Sequence, residues 1–461
     1  MIFQKFVDLA SSNIRRSLWL CYILAVVVRL AFVLEFPGPN YFGGVSERCL
    51  DVGKNVVEGK GFVFYVNVAP FGSPDNYRYE PFIDKPIGYP SFIAAVFFIF
   101  GIKPVAVQLV QAFLLSLGCV VVYRILRLLK VDEVKSLLGA FLCAVWPNHA
   151  RFEVTILPEA MMPFILILTS YLLLRAIEPI DGNRQKWGKK SLQNSLMAGF
   201  VLGLGSLSRP DVMFLPIWLF IGLALIYSFR VSLRILWPAT LVFYAIIGLH
   251  TVRNYLLTDE IIPLGYSNGT VLWQGISQFG DTLGTVYSDY RIAHHEGYPS
   301  LLYPNGIERD RKRFREAVNI IESHPLFYLS LIPRRIPLLL VPRGLLVQDD
   351  PAPRTNDKED FPQHFQKGIL ADFRATPIRA LIKVFSALSG VILLFLALLG
   401  YWKSRVQSRG VGVLLLFMLY FVAVLLPINA EARYFFPAVI LLFPMSVMVL
   451  ANRSQISPRQ E

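Results

Sequence analysis

Apolar runs punctuate this chain, and every second link between them is basic. Ten runs lie at about 17–36, 104–124, 135–149, 158–177, 192–208, 212–229, 235–250, 377–400, 410–428 and 434–452. Several reach or approach the roughly 20 apolar residues that cross a hydrocarbon core. Basic residues collect before the first run (Lys5, Arg15, Arg16) and after the second (Arg124, Arg127, Lys130, Lys135). They recur around the end of the fourth (Arg175, Arg184, Lys186, Lys189, Lys190) and after the sixth (Arg230, Arg234). The last groups follow the eighth (Lys403, Arg405, Arg409) and fill the tail (Arg453, Arg459). Lysine and arginine accumulate in cytoplasmic loops, so the parity predicts an all-α multi-pass membrane protein with both termini cytoplasmic.

Two apolar stretches break this pattern if they cross. Ile87–Gly101 has 15 residues, which reach only ~22 Å against a core of ~30 Å. Were it a span, the basic link at 124–135 would fall outside and every later link would invert. It is therefore expected to lie in the outer interface, as is 325–342, where Arg334 and Arg335 sit mid-run. The expected organisation is a transmembrane core over 1–250, including an outer loop at 37–103 with two interfacial helices. A large outer region over 251–376 and C-terminal transmembrane helices with a short tail over 377–461 complete it.

Composition agrees. Apolar residues make up 54% and charged residues 17% of the 461. The net charge of +13 belongs to the cytoplasmic links and implies the lipid bilayer as partner, with no nucleic acid. The first run is too long for a signal-peptide core and no A-x-A site follows, so it reads as a retained anchor. Cys21, Cys49, Cys119 and Cys143 have no metal-ligand spacing, and three of the four fall in apolar runs as inert thiols. There is no Walker loop, no GxGxxG after a strand, no HExxH and no CxxC. The cytoplasmic links leave no room for a soluble nucleotide-using domain, so a substrate must arrive through the membrane or from the outer face.

Polar residues gather at the outer ends of the runs. In Ser46–Phe62, Cys49, Val52 and Val56 fall on one helical face, expected toward lipid; Glu47, Asp51, Lys54 and Glu58 fall on the other. Glu80, Asp84 and Lys85 precede Pro86, which presents Lys85 at the start of the short helix, where anions are favoured. Lys85 and Tyr89 read equally as interfacial anchors. Glu159 opens the fourth run. Arg209 and Asp211 share a tight turn, Arg253 and Asn254 follow the seventh run, and Glu431, Arg433 and Tyr434 precede or open the last. Charges this close to a bilayer are costly and mark sites, though each alone reads equally as a structural ion pair. His149 reads as structural. Asn268-Gly-Thr270 matches a glycosylation sequon and weighs little.

The stretches "GKNVVEGKGF", "FIDKPIGYP", "LPEA", "GLGSLSRPD", "RNYLLTDEIIPLGYSNGTVLWQG" and "ARYFFP" together resemble integral-membrane glycosyltransferases of the C-type (GT-C) fold. The likeness is greatest to the family 39 branch of protein O-mannosyltransferases and the bacterial lipid A aminoarabinose transferase. It covers about residues 15–280 and returns at the last motif. The resemblance implies a polyprenyl-phosphate-linked sugar donor and inverting transfer, on the outer face, to a glycolipid, polysaccharide or protein acceptor. Lys85 with Arg209, Arg253 or Arg433 would hold the donor phosphate, and a carboxylate would take the acceptor's proton. The aspartate usual in the family's first outer loop falls on Val45; Glu47, or Asp51 one turn on, would replace it, and Asp84 matches the family's second acid there. No cofactor is fixed; a divalent ion at Asp84 and Glu159 stays open. The rival readings are a transporter or lipid flippase and a non-catalytic member that binds a lipid-linked sugar.

Overall fold

A computed structural model of the chain describes residues 13–39, 43–67, 76–181, 187–279, 306–340, 377–404, 408–430 and 432–451. Glu431, the linker 349–363 and the basic residues Lys5, Arg184, Lys186, Arg405, Arg453 and Arg459 lie outside them. Chain order begins α1 (Ile14–Glu35), α2 (Gly43–Val57), strands β1 (Val63–Asn67) and β2 (Tyr77–Pro81), and α3 (Gly88–Phe100). There follow α4 (Pro104–Leu115), α5 (Leu117–Leu128), α6 (Glu133–Val145), α7 (Pro147–Glu153), a 3-10 turn at Pro158–Met161 and α8 (Met162–Asp181). Next are α9 (Lys189–Ser206), a 3-10 turn at Pro210–Val212, α10 (Leu215–Ile226), α11 (Phe229–Thr258) and α12 (Asn268–Ile276). The chain continues as α13 (Ile307–Ser323) and α14 (Pro325–Leu340). The chain ends with α15 (Pro377–Ser404), α16 (Arg409–Ile428), α17 (Ala432–Phe435), a 3-10 turn at Phe436–Leu441 and α18 (Leu442–Val447) with a last 3-10 turn.

All ten expected spans fall on helical segments, and the all-α polytopic class is borne out. Among the described residues, six helical stretches are long and apolar enough to cross a membrane: 14–35, 104–128, 158–179, 229–258, 409–428 and 433–450. Their boundaries follow local chemistry. Asn13, Asp132 and Ser228 cap α1, α6 and α11 by accepting the backbone N–H of Arg16, Lys135 and Val231 at 3.2, 3.0 and 3.3 Å. Asp259 ends α11 in the left-handed region at φ 56°. One buried core joins α5, α8, α10, α16 and the 436–447 segment through Val122, Leu166, Leu219, Phe417, Phe421 and Phe443. Leu249, Leu256, Leu225 and Phe395 stay exposed on the outside of the bundle, where a helix surface can be apolar all round only if it faces lipid.

The short helix α3 keeps its 13 residues, ~20 Å of rise. Its first half is buried and its far end leaves Phe98, Ile99 and Phe100 exposed. The expected lipid-facing side of α2 is instead packed against protein. Cys49 joins Tyr89, Ile93 and Val107, while Val52 packs with Phe64 and Phe82 of the hairpin. Two neighbours cover that face: α3 lies against Cys49, and the antiparallel pair β1–β2 (Val63 opposite Pro81, Tyr65 opposite Tyr79), within a stretch expected to be loop, lies against Val52. In α14 the paired arginines part company. Arg335 is fully buried and donates to the carbonyls of Leu426, Pro427 and Gly275 at 2.8, 2.6 and 2.7 Å. It thus satisfies orphan carbonyls at the ends of α16 and α12, and only Arg334, over the Phe279 ring at 4.3 Å, keeps a partly exposed position.

Candidate active site

The segment carrying Asp84 and Lys85 is gripped from both sides. Gly88 donates its N–H to the carbonyl of Leu207 at 2.6 Å, and Ser267 Oγ donates to the Asp84 carbonyl at 2.6 Å. Both approaches need a residue without Cβ: an added Cβ would stand 2.5 Å from Leu207 O at Gly88, and 2.5 Å from Asp84 O at Gly265. Upstream, Phe82 is fully buried, donates its N–H to the Phe62 carbonyl at 2.9 Å, and accepts from Arg253 Nη1 at 3.2 Å.

A second wall is the loop into α8. Gln108 donates to the carbonyl of Val154 at 3.0 Å, Gln111 to those of Glu153 and Thr155 at 2.8 and 2.9 Å, and Ser46 to that of Ile156 at 2.7 Å. Beneath it, Arg29 meets Glu153 through Nε at 2.7 Å, and His149 Nε2 lies 3.3 Å from the same carboxylate, all fully buried. The structural reading of His149 fits this geometry, and Arg29, mid-span, is paired rather than exposed to lipid. The braced loop delivers Glu159, which is 8% exposed.

Lys85, Arg209 and Arg433 all act electrostatically on Glu159, each from a separate part of the chain. Arg209 pairs with Asp211 (Nε to Oδ1 3.0 Å) and donates to the Tyr434 carbonyl at 3.4 Å. Its guanidinium lies 5.3 Å from the centre of the Tyr434 ring; that of Arg433 lies 4.7 Å from the same ring and donates to the Tyr434 hydroxyl at 2.8 Å. Lys85 makes no salt bridge within 4.0 Å among the described residues. Asp84 accepts from Arg48 Nη1 at 2.5 Å on Oδ2. Its Oδ1, like Glu159 Oε2, is buried with no hydrogen-bond partner among the described residues. The Cys49 thiol lies in the field of Lys85, Glu159, Asp84 and Arg48, and burial pushes it up to about 12. Tyr266, pushed by burial to about 12, lies in the field of Asp84, Arg309, Arg48 and Glu80.

Asp84, Lys85, Glu159, Arg209, Arg433 and Tyr434 are thus brought together. Others are placed elsewhere. Arg253 spends its guanidinium on the Phe82 carbonyl and on Asn254 Oδ1 (2.8 Å), and Asn254 donates to the Ile262 carbonyl at 2.9 Å; both anchor the approach to Asp84. Tyr89 is buried and donates to Gln111 Oε1 at 2.9 Å, so it is a brace, not an interfacial anchor. Glu80 accepts from Arg78 at 2.6 Å on the hairpin. Glu47 is exposed and Asp51 half-buried on α2, and among the described residues no hydrogen bond or ion pair ties either to the cluster. Val45 packs among apolar side chains with Cys49 and Ile93. Among the described residues no group of three or more His, Cys, Asp and Glu forms a metal-ligand set; the carboxylates Asp84, Glu159 and Asp211 stand among the cations Lys85, Arg48, Arg209 and Arg433, which suits an anion better than a divalent ion. Arg48 and Tyr266 escaped the sequence reading. Arg48 lies between the two faces assigned to α2, and Tyr266 meets Asp84 only through the tertiary fold.

Residues 84–253 match the family model of dolichyl-phosphate-mannose-protein mannosyltransferases. The resemblance read from the motifs is borne out over that stretch, which contains Asp84, Lys85, Glu159 and Arg209. No curated protein matches in sequence. Among solved structures, the apo oligosaccharyltransferase of Archaeoglobus fulgidus is similar at TM-score 0.49 and 13% identity, over 94% of this chain and 50% of that one. The same enzyme with Zn and sulfate gives 0.47 and 11%, over 93% and 48%. Its complex with an inhibitory peptide and a dolichol-phosphate gives 0.46 and 13%, over 94% and 50%. The chain spans about half the length of these structures, and at this level of likeness they carry no argument about its chemistry.

Proposed function

We propose that this chain, matched over 84–253 by the dolichyl-phosphate-mannose-protein mannosyltransferase model, is a membrane glycosyltransferase using a polyprenyl-phosphate-linked sugar. Its acceptor is a glycolipid, polysaccharide or protein of the cell envelope, reached at the outer face of the inner membrane. The observation that carries this reading is the convergence of Arg209 and Arg433 on the Tyr434 ring, with guanidinium carbons 5.3 and 4.7 Å from its centre, within electrostatic reach of Glu159, as is Lys85, the residue after Asp84.

Such a site suits a leaving group that departs as a lipid phosphate. In the transfer, the acceptor oxygen bonds to the anomeric carbon while the bond from that carbon to the phosphate oxygen breaks. The electron pair leaves with the phosphate, and Lys85, Arg209 and Arg433 stabilise the charge in a water-poor pocket. The acceptor proton passes to a carboxylate. Asp84 is the best placed: it is buried, its chain is pinned, and Oδ1 has no hydrogen-bond partner among the described residues. One displacement from the far side of the sugar inverts the anomeric centre. Glu159 keeps the three cations together when the donor is absent. Val45 favours one second reading, a non-catalytic binder of lipid-linked sugars, because its neighbours are apolar.

The test is mass spectrometry of envelope lipids and glycans from cells carrying the wild-type gene, no gene, or Asp84→Asn. A glycan or glycolipid mass present only with the wild type supports the enzyme. Identical profiles for all three remove it, and a species lost with the gene but retained by Asp84→Asn turns the reading toward the non-catalytic binder.

A further inference from the structure

Arg48 has no part in the reading above, yet it is the partner of the site's best-placed carboxylate. Its contact with Asp84 is a single 2.5 Å bond from Nη1 to Oδ2. The rest of its guanidinium lies 5.2 Å from the centre of the Phe64 ring. The two partners are unequally held: the Arg48 side chain is 42% exposed and that of Asp84 10%. The Asp84 backbone is held where it is, because Ser267 bonds its carbonyl and Gly265 packs so close that an added Cβ would stand 2.5 Å from the same oxygen. Arg48, on α2, can turn away into water. If the pair opens, the arginine moves and the carboxylate stays.

A half-exposed ion pair is weakly held, while a guanidinium on a phosphate gains two parallel charge-assisted hydrogen bonds. A phosphate arriving beside Lys85 is within the arginine's neighbourhood, since Arg48 is bonded to Asp84 and Lys85 is the next residue of the chain.

We infer that Arg48 is a further phosphate-binding residue, stored on Asp84 in the free protein and taken over by the donor phosphate when it binds. The exchange breaks one ion pair and forms another, with no covalent change. It strips Asp84 of its counter-ion as the donor arrives, so that in the loaded site Oδ2 joins Oδ1 in having no hydrogen-bond partner among the described residues. This inference rests on the lipid-phosphate reading of the site.

Binding of undecaprenyl phosphate to the full chain in nanodiscs tests it, with wild type, Arg48→Gln, Asp84→Asn and the double variant. Competition between Asp84 and phosphate for one arginine predicts that Asp84→Asn binds about three- to tenfold tighter than wild type, and Arg48→Gln weaker by a similar factor. In the Arg48→Gln background, Asp84→Asn then brings no gain. If the gain is absent, or persists without Arg48, the exchange is overturned while the site reading stands. If wild type does not bind the lipid phosphate, both fall. Arg48→Lys serves where Arg48→Gln does not fold: it keeps the charge and loses the fork, and binding equal to wild type contradicts a bidentate role.

Discussion

Gly88 donates its backbone N–H to the carbonyl of Leu207 at 2.6 Å, and this bond sets Asp84 and Lys85 beside the turn that carries Arg209. Without it, the short helix α3 and the end of α9 have no reason to meet.

Gly88→Ala therefore tests the architecture. A Cβ 2.5 Å from Leu207 O forces the two segments apart, at about 1–3 kcal/mol. Thermal unfolding in detergent is expected to show a clear drop in Tm. Gly44→Ala, where nothing lies within 4 Å, is expected to leave it within the scatter. Equal melting of both variants would mean that the contact does not hold the site.

Arg209 and Asp211 are expected to behave as a buried pair, with side chains 7% and 15% exposed. Arg209→Leu leaves an uncompensated carboxylate and is expected to cost about 3–5 kcal/mol. Arg209→Leu with Asp211→Leu should recover much of it. Denaturant melts of the two variants decide this, and a double variant no better than the single one refutes the pairing.

Burial pushes the Cys49 thiol up to about 12, against about 8.5 for an exposed one. The folded state thus holds the proton more tightly than the unfolded one. The stability linked to it is intact below the unfolded value and is lost as pH rises from there toward 12. Only the thiolate reacts, so maleimide should not label Cys49 in the native protein near neutral pH and should do so after denaturation. Rapid native labelling would contradict the burial of α2 against α3.

The apolar runs and the basic residues on alternate links make the class of the fold legible, and the shortness of Ile87–Gly101 together with that parity sets it apart from the spans, because like charges on alternate links leave few topologies. The same pattern did not expose the β1–β2 pair, whose alternation is too short and whose partner strands, ending at Asn67 and beginning at Tyr77, are not adjacent in sequence. Individual charges such as Lys85 and Arg209 were legible because a charge near a bilayer needs a reason. Their convergence on Glu159 was not, since it depends on Gly88 docking at Leu207 and on the glutamines that brace the 153–157 loop. Arg253 and Asn254 looked like site residues for the same reason as Arg209, and only the carbonyls they bind separate them.

The outer placement proposed for the first loop is tested by labelling of Glu47→Cys, an exposed position. A membrane-impermeant maleimide added to spheroplasts should modify it. Labelling only after permeabilisation would invert the topology.

The most direct test of the account is the affinity of undecaprenyl phosphate, the lipid released by transfer from an undecaprenyl-phosphate sugar, for wild type, Lys85→Ala and Arg433→Ala. Native mass spectrometry or equilibrium binding in nanodiscs gives it. Loss of one charge-assisted phosphate contact predicts about a tenfold weaker affinity in each variant, with melting temperatures near that of the wild type. Equal binding by all three proteins would contradict a phosphate site at this cluster.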